Sequence, residues 1–529
     1  MKRLYFLVLA GAILTSSGFG QVSTGSIVMT DRAAARFLDQ ATWGPTDASI
    51  QQLQTVGTKN WLAWQFGLNV SDIPDQPLLN ATTGNANTDL TPVQGAFFMN
   101  AVNNPDQLRQ RVAFILSQIW VVSAVQVNNA YAYPPYWRLF RDNAFGNYRD
   151  IVQAISLSPA MGSYLNMANN NKGNAAKGTA ANENYSRELL QLFTLGLNQL
   201  NPDGSLVLDA NHNPVPTYTQ AEVTSGAKLV TGWTYPVAPG ATAKTNNPAY
   251  YFGQMYAVEA EHDTTAKTIF GSINIPAGQT AEQDLQSLIN ALMAQPTMAP
   301  FVSEQLIQHM VTSNPSPAYI QRVSKVFTNN GNGVTGDMQA VLTAILTDPE
   351  ARAGDDADTP AVANFGHMRE PVLFIPNILR GLNATLTSTS AVYNDTTLMG
   401  QQLFYPASVF SYFSPSYRTP KGLLGPEFQI YSTQTASERA DIVNAAIYGT
   451  LDKGTTVDLS AFLPYASDTN ALLDYISYAL LHHGMSTPLQ QAAFTAVNAQ
   501  TGTGAALAKA RVQAALYVVL TSGEYQIVQ

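Results

Sequence analysis

Residues 181–196 read ANENYSRELLQLFTLG, and the way this stretch folds sets the class of the whole chain. Asn182 can cap a helix, because its side-chain oxygen accepts from an otherwise orphaned backbone N–H, and Gly196 can end one in the left-handed region. Between them Leu189, Leu192, Phe193 and Gly196 follow helical spacing, with Leu190 and Leu197 widening the stripe, so one face is expected to be buried. Glu183, Asn184, Arg187 and Glu188 fall on the other turns. The loop that leads in, NNNKGNAAKGTAA over 169–181, is low in complexity and reads as surface.

The same 3.6-residue pattern recurs outward in both directions. Upstream, DRAAARFLDQAT (31–42) is helical and broken by Trp43-Gly44-Pro45; Thr46 caps a second helix ended by Gly57, and a third runs through Trp61, Leu62 and Trp64. Residues 72–90 lack periodicity and read as loop. PDQLRQRVAFILSQIWVVS (105–123) is a long core helix with Arg111 beside its apolar stripe. Further helices follow over Trp137–Phe140 and Tyr148–Leu157, with a short turn from Pro159 to Asn166. Downstream, the stretch 198–276 is rich in turn signals around one helix (Thr219–Trp233), and segments 205–208, 249–253 and 267–270 are candidate hairpin strands. Helices resume over 282–347 and again beyond 367. The expectation is a mainly α, multi-helical globular protein with a loop-rich insertion carrying a few short β-hairpins. Its apolar-poor stretch 353–359 would divide a lobe over 21–352 from one over 360–529.

Composition narrows the function. Only 12% of the 529 residues are charged and the net charge is -9, with no Lys/Arg cluster past the start, so no footprint for nucleic acid exists. Lys2 and Arg3, the apolar run Leu4–Leu14 and Gly18-Phe19-Gly20 have the form of a signal peptide cleaved near Gly20. The expected location is periplasmic or extracellular, with no transmembrane span in the mature chain. With no Cys there are no disulfides and no thiolate chemistry.

The segments NENYSRELLQLFTLG, YTQAEVTSGAKLVTGW, HDTTAKTIFG, FVSEQLIQHMVTSNP, REPVLFIPNILRGL and GQQLFYPASVF together resemble the bacterial family catalogued as DUF1800, from about Arg32 onward, with NEN-x-x-REL the most specific piece. The resemblance implies a mostly helical, commonly exported protein whose genes often lie beside those of another exported family. It implies no reaction.

Candidate site residues come from the residues themselves. Glu188 is a candidate acid, base or metal ligand, with Asn184, Glu183, Arg187, Asn182 and Asn166 around it and Arg111 as the natural ionic partner; the plain reading is a structural network with Glu183 and Arg187 paired at i,i+4. His262 and Asp263, within EAEHD, offer imidazole and carboxylate for acid/base work, while a divalent metal there is the less favoured reading and a capped turn the plain one. His309 reads as a packed core histidine and His482-His483 as a helix-end cap. Trp43, Tyr131, Tyr133, Tyr136, Trp137 and Trp233 would either stack on sugar rings or pack lobes together. No G-x-S-x-G elbow, phosphate loop or dinucleotide fingerprint occurs. Two functions stay open: an exported enzyme acting on a glycan or other envelope polymer, and a non-catalytic binding or assembly factor with an exported protein partner.

Overall fold

The computed structural model describes residues 29–356, 362–449, 451–453, 455–482 and 484–529. The segment expected to be a signal peptide, part of the 353–359 stretch and His483 lie outside these. The described residues form 20 α-helices and three two-stranded antiparallel sheets, so the protein is mainly α. No described helix is long and apolar enough to cross a membrane.

Local chemistry explains the helix ends. Thr30 caps Asp31–Ala41 by accepting from Ala33 N–H at 3.1 Å, and Thr46 and Ser49 form a reciprocal capping box. The two helices expected on either side of Gly57 run as one element, Asp47–Gly67, kinked where Gly57 adopts φ 74°. Helices Thr91–Asn103 and Ser390–Leu398 were not legible as periodic stripes. The first is buried on several sides, which blurs the amphipathic signal.

The strands expected in 198–276 are realised in part. Lys267–Ile269 pairs with Ile273–Ile275, and Trp233–Thr234 with Tyr256–Ala257. Isolated bridges at Leu206 and Leu208 mark an irregular hairpin, whereas 249–253 is loop because its aromatics pack inward on Tyr131 rather than pairing along an edge. The last pair joins His367–Met368 to Ile527–Val528 near the C-terminus.

A single cluster of buried apolar side chains extends from Ala34 to Val528. Trp43 is fully buried against Phe97 and Phe114, at ring distances of 5.3 and 5.4 Å. Tyr131, Tyr133, Tyr136, Trp137 and Trp233 are buried as well. All six are core, and none offers a face for stacking on a sugar. Asp355, in the stretch read as a linker, is tied down by ion pairs to Arg36 and Arg352.

Candidate functional site

The opening stretch folds as an α-helical turn, Asn184–Glu188, that passes into a π-helix, Leu189–Thr194. The Leu195 N–H reaches back five residues to Leu190 O at 3.0 Å, and Gly196 closes the element at φ 77°. A π turn carries one extra residue per turn and re-aims the side chains at its start. Glu188 is the residue at that junction.

Asn182 starts the element as expected: its Oδ1 accepts from Asn184 N–H at 2.9 Å. Asn170 clasps it on both sides, accepting from Asn182 N–H at 2.7 Å and donating to Asn182 O at 3.1 Å. Asn184 Nδ2 donates to Asn166 Oδ1 at 3.2 Å, with Asn166 held at φ 59°. Glu183 pairs with Arg187 at 3.0 Å and also accepts from Gln220 and Thr224, both at 2.7 Å. The Thr224 hydrogen bond, before any other favourable contact, holds the Glu183 carboxyl below its usual range. Glu183 and Arg187 are thus a closed structural network on the surface.

Glu188 differs. It is half-buried, and its Oε2 is buried with no hydrogen-bond partner. Burial pushes its carboxyl above the ordinary glutamate value, against a smaller pull from Arg187. Tyr164 feels its charge and is itself raised to about 12, chiefly by burial. Tyr218 lies within reach of both Arg187 and Glu188 electrostatically, and its hydroxyl donates to Gln191 Oε1 at 3.2 Å. The groups within electrostatic reach of Glu188 are therefore the Arg187 guanidinium and the phenols of Tyr164 and Tyr218. Tyr164 and Tyr218 carry no local sequence signal for this role, since they reach Glu188 only through the fold.

The expected ion pair between Arg111 and Glu188 does not form. Arg111 is fully buried on the helix Gln107–Ile119, donates to His309 O at 3.1 Å, and feels Glu370, Asp39 and Glu427. Its carboxylates come from distant segments on both sides of it in the chain, a pairing that spacing along one helix could not disclose. His262 is also placed away from solvent. It is fully buried, with Nδ1 2.9 Å from Thr231 O and Nε2 3.0 Å from Asp284 Oδ2, and Lys267 pairs with the same carboxylate. Both ring nitrogens are engaged, so this imidazole is a brace and not an acid/base group facing a cleft. Asp263 accepts from Thr265 N–H at 2.9 Å as a turn cap, and Glu259 accepts from Ala281 N–H at 3.2 Å. The carboxylates of EAEHD thus diverge, and among the described residues no group of three or more His, Cys, Asp or Glu is placed to hold a metal ion. Trp233 is buried beside this brace and offers no binding face.

The brace nevertheless touches the Glu188 element. Gly232, next to Thr231, donates to Asn170 O at 2.8 Å, and Asn170 clasps Asn182. His262 is therefore connected to the start of the Glu188 helix by a chain of hydrogen bonds.

No curated protein and no solved structure matches the chain. A family model described as a protein of unknown function, DUF1800, matches residues 36–527. That span takes in the Glu188 element and the brace, leaving out only the first 35 and the last two residues, and the chain belongs to the DUF1800 family.

Proposed function

We propose that this is an exported protein of the cell envelope or extracellular space that processes a neutral, hydroxyl-rich polymer, most simply a polysaccharide, with Glu188 as its proton-donating group. The observation that carries the reading is the half-buried Glu188 carboxyl, one oxygen buried and unpartnered, raised by burial against a smaller pull from Arg187, with the phenols of Tyr164 and Tyr218 in reach. A carboxyl whose hold on its proton is tightened by burial is suited to donate to a leaving oxygen. Asn166, Asn184, Gln191 and Tyr218 offer the amide and phenol groups that pair with hydroxyls. The N-terminal pattern supports export.

A second reading is a non-catalytic envelope binding or assembly factor. It is favoured by the Glu183–Arg187–Gln220–Thr224 network, which is complete within the protein. Glu188→Gln separates the two when envelope polymers are screened for binding and turnover alongside melting temperature. Intact folding with lost turnover supports the first; retained binding and no turnover in either protein supports the second.

A further inference from the structure

A cleft of about 870 Å³ lies between the start of the helix Met298–Met310 and the helix Pro317–Thr328, and none of the residues lining it belongs to the Glu188 element or to the brace. Gln295 and Pro296 interrupt the chain between Ala281–Met293 and Met298–Met310, so Met293 and Met298 reach the same cleft from two helices. Met298 and Phe327 are buried, Phe327 being packed on Tyr148 at a ring distance of 5.7 Å, and they form the base. Above them Met293 is half-buried and Pro202, Ala294 and Pro296 are exposed, so solvent reaches aliphatic surface. Pro202 comes from the irregular hairpin, which is fastened here by the Leu200 N–H donating to Thr297 Oγ1 at 3.2 Å.

Two cations one helical turn apart set the charge. Arg322 donates from Nε and Nη2 to the two oxygens of Asp348, both at 2.7 Å, so its charge is met. Lys325 is exposed and makes no ion pair among the described residues. No Asp or Glu lines the cleft. In a chain of net charge -9, this is an aliphatic hollow with one uncompensated positive charge at its edge. The rest of the rim is polar, with Gln321, Thr328 and Asn329 exposed and no large exposed apolar side chain among the lining residues. A rim of that kind has nothing to insert into a membrane, so it favours a ligand that arrives dissolved. The volume falls in the range of roughly 300–1,000 Å³ typical of small-molecule sites, and methionine walls adapt to irregular aliphatic shapes.

We propose that this cleft binds a free medium-chain carboxylic acid, its carboxylate on Lys325 and its alkyl chain along Met293, Pro202 and Pro296. A single ammonium matches a head of one negative charge, and walls of Met, Pro and Ala match an aliphatic body that needs no ring to stack on. The site stands apart from the reading of Glu188, and the failure of either leaves the other intact.

The test is a titration of the full chain, labelled with [methyl-13C]methionine, with sodium decanoate below its micelle concentration. Met293→Leu identifies the Met293 methyl signal. That signal is expected to shift saturably with decanoate. Octanoate should bind roughly tenfold more weakly, the scale of two methylenes left unburied. Lys325→Gln should weaken decanoate about 5-fold, the scale of an ion pair at a solvent-exposed rim. Decyltrimethylammonium, with the same chain and the opposite charge, should bind more weakly than decanoate to the wild type. The proposal is overturned if decanoate leaves the Met293 signal unmoved, if Lys325→Gln binds decanoate as tightly as the wild type, or if the ammonium compound binds as well as the acid. The last comparison needs only the wild type, so it decides the matter even if a variant fails to fold.

Discussion

The Glu188 side chain keeps one oxygen buried and unpartnered, so an amide of the same shape removes its charge without removing a hydrogen bond. Its folded-state pKa lies above the unfolded value, which fixes the sign of the pH effect. The contribution of such a carboxyl is fully present below its unfolded pKa and is lost as pH rises through the folded one. Glu188→Gln should therefore match the wild type in melting temperature below about pH 4 and exceed it progressively at neutral pH, by up to about 1 kcal/mol after solvent screening. A melting series from pH 4 to 8 checks it; a variant less stable than the wild type at pH 7 would mean that the charge has a partner. Asp284 is the opposite case. It is fully buried and serves both Lys267 and His262, so Asp284→Asn strands an ammonium in the interior. A loss of about 3–5 kcal/mol is expected in denaturant titration.

At the level of elements, the helices Asn184–Glu188 and Gln220–Leu229 cross where Gly226 meets Ser186, and a Cβ on Gly226 would fall on the Ser186 Oγ. Gly226 lies in an ordinary helix, so the obstacle is space and not backbone conformation. Gly226→Ala should cost about 1–3 kcal/mol by overpacking and displace the Glu188 element. Gly226→Ala/Ser186→Ala should recover part of the loss, read by unfolding midpoint. Much of this element was legible in the sequence: the Asn182 start, the Gly196 stop and the Glu183–Arg187 pair all follow from local spacing. The π turn was not, because the extra residue per turn is imposed by neighbours, among them Trp120 stacked on Phe193 at 4.3 Å, and not by propensity. The same limit explains the Arg111 error. A helix buried on nearly every side announces that its arginine needs a carboxylate, but which one depends on chain segments hundreds of residues away.

Over the whole molecule, the two ends of the described chain meet in one polar knot. Arg369 pairs with Asp39 at 2.5 Å and donates to the carbonyls of Tyr525 and Ile527, while Tyr525 hydroxyl donates to Asn377 Oδ1 at 2.6 Å and Asn377 donates to Asp39 at 2.7 Å. Removing residues 524–529 takes away the tyrosine, both carbonyls and the strand opposite His367–Met368. The truncated protein is expected to lose at least about 3 kcal/mol, with early loss of protection around Asp39 and Asn377 in hydrogen exchange. Unchanged exchange there would show that the knot is held without its C-terminal members.

That closing strand also sets an order on the birth of the molecule. While residues 525–528 are still inside the ribosome, Arg369 lacks its two carbonyl acceptors and His367–Met368 lacks its partner, so these contacts wait until that strand has emerged. A chain built this way locks around Arg369 only after residues 525–528 have joined it.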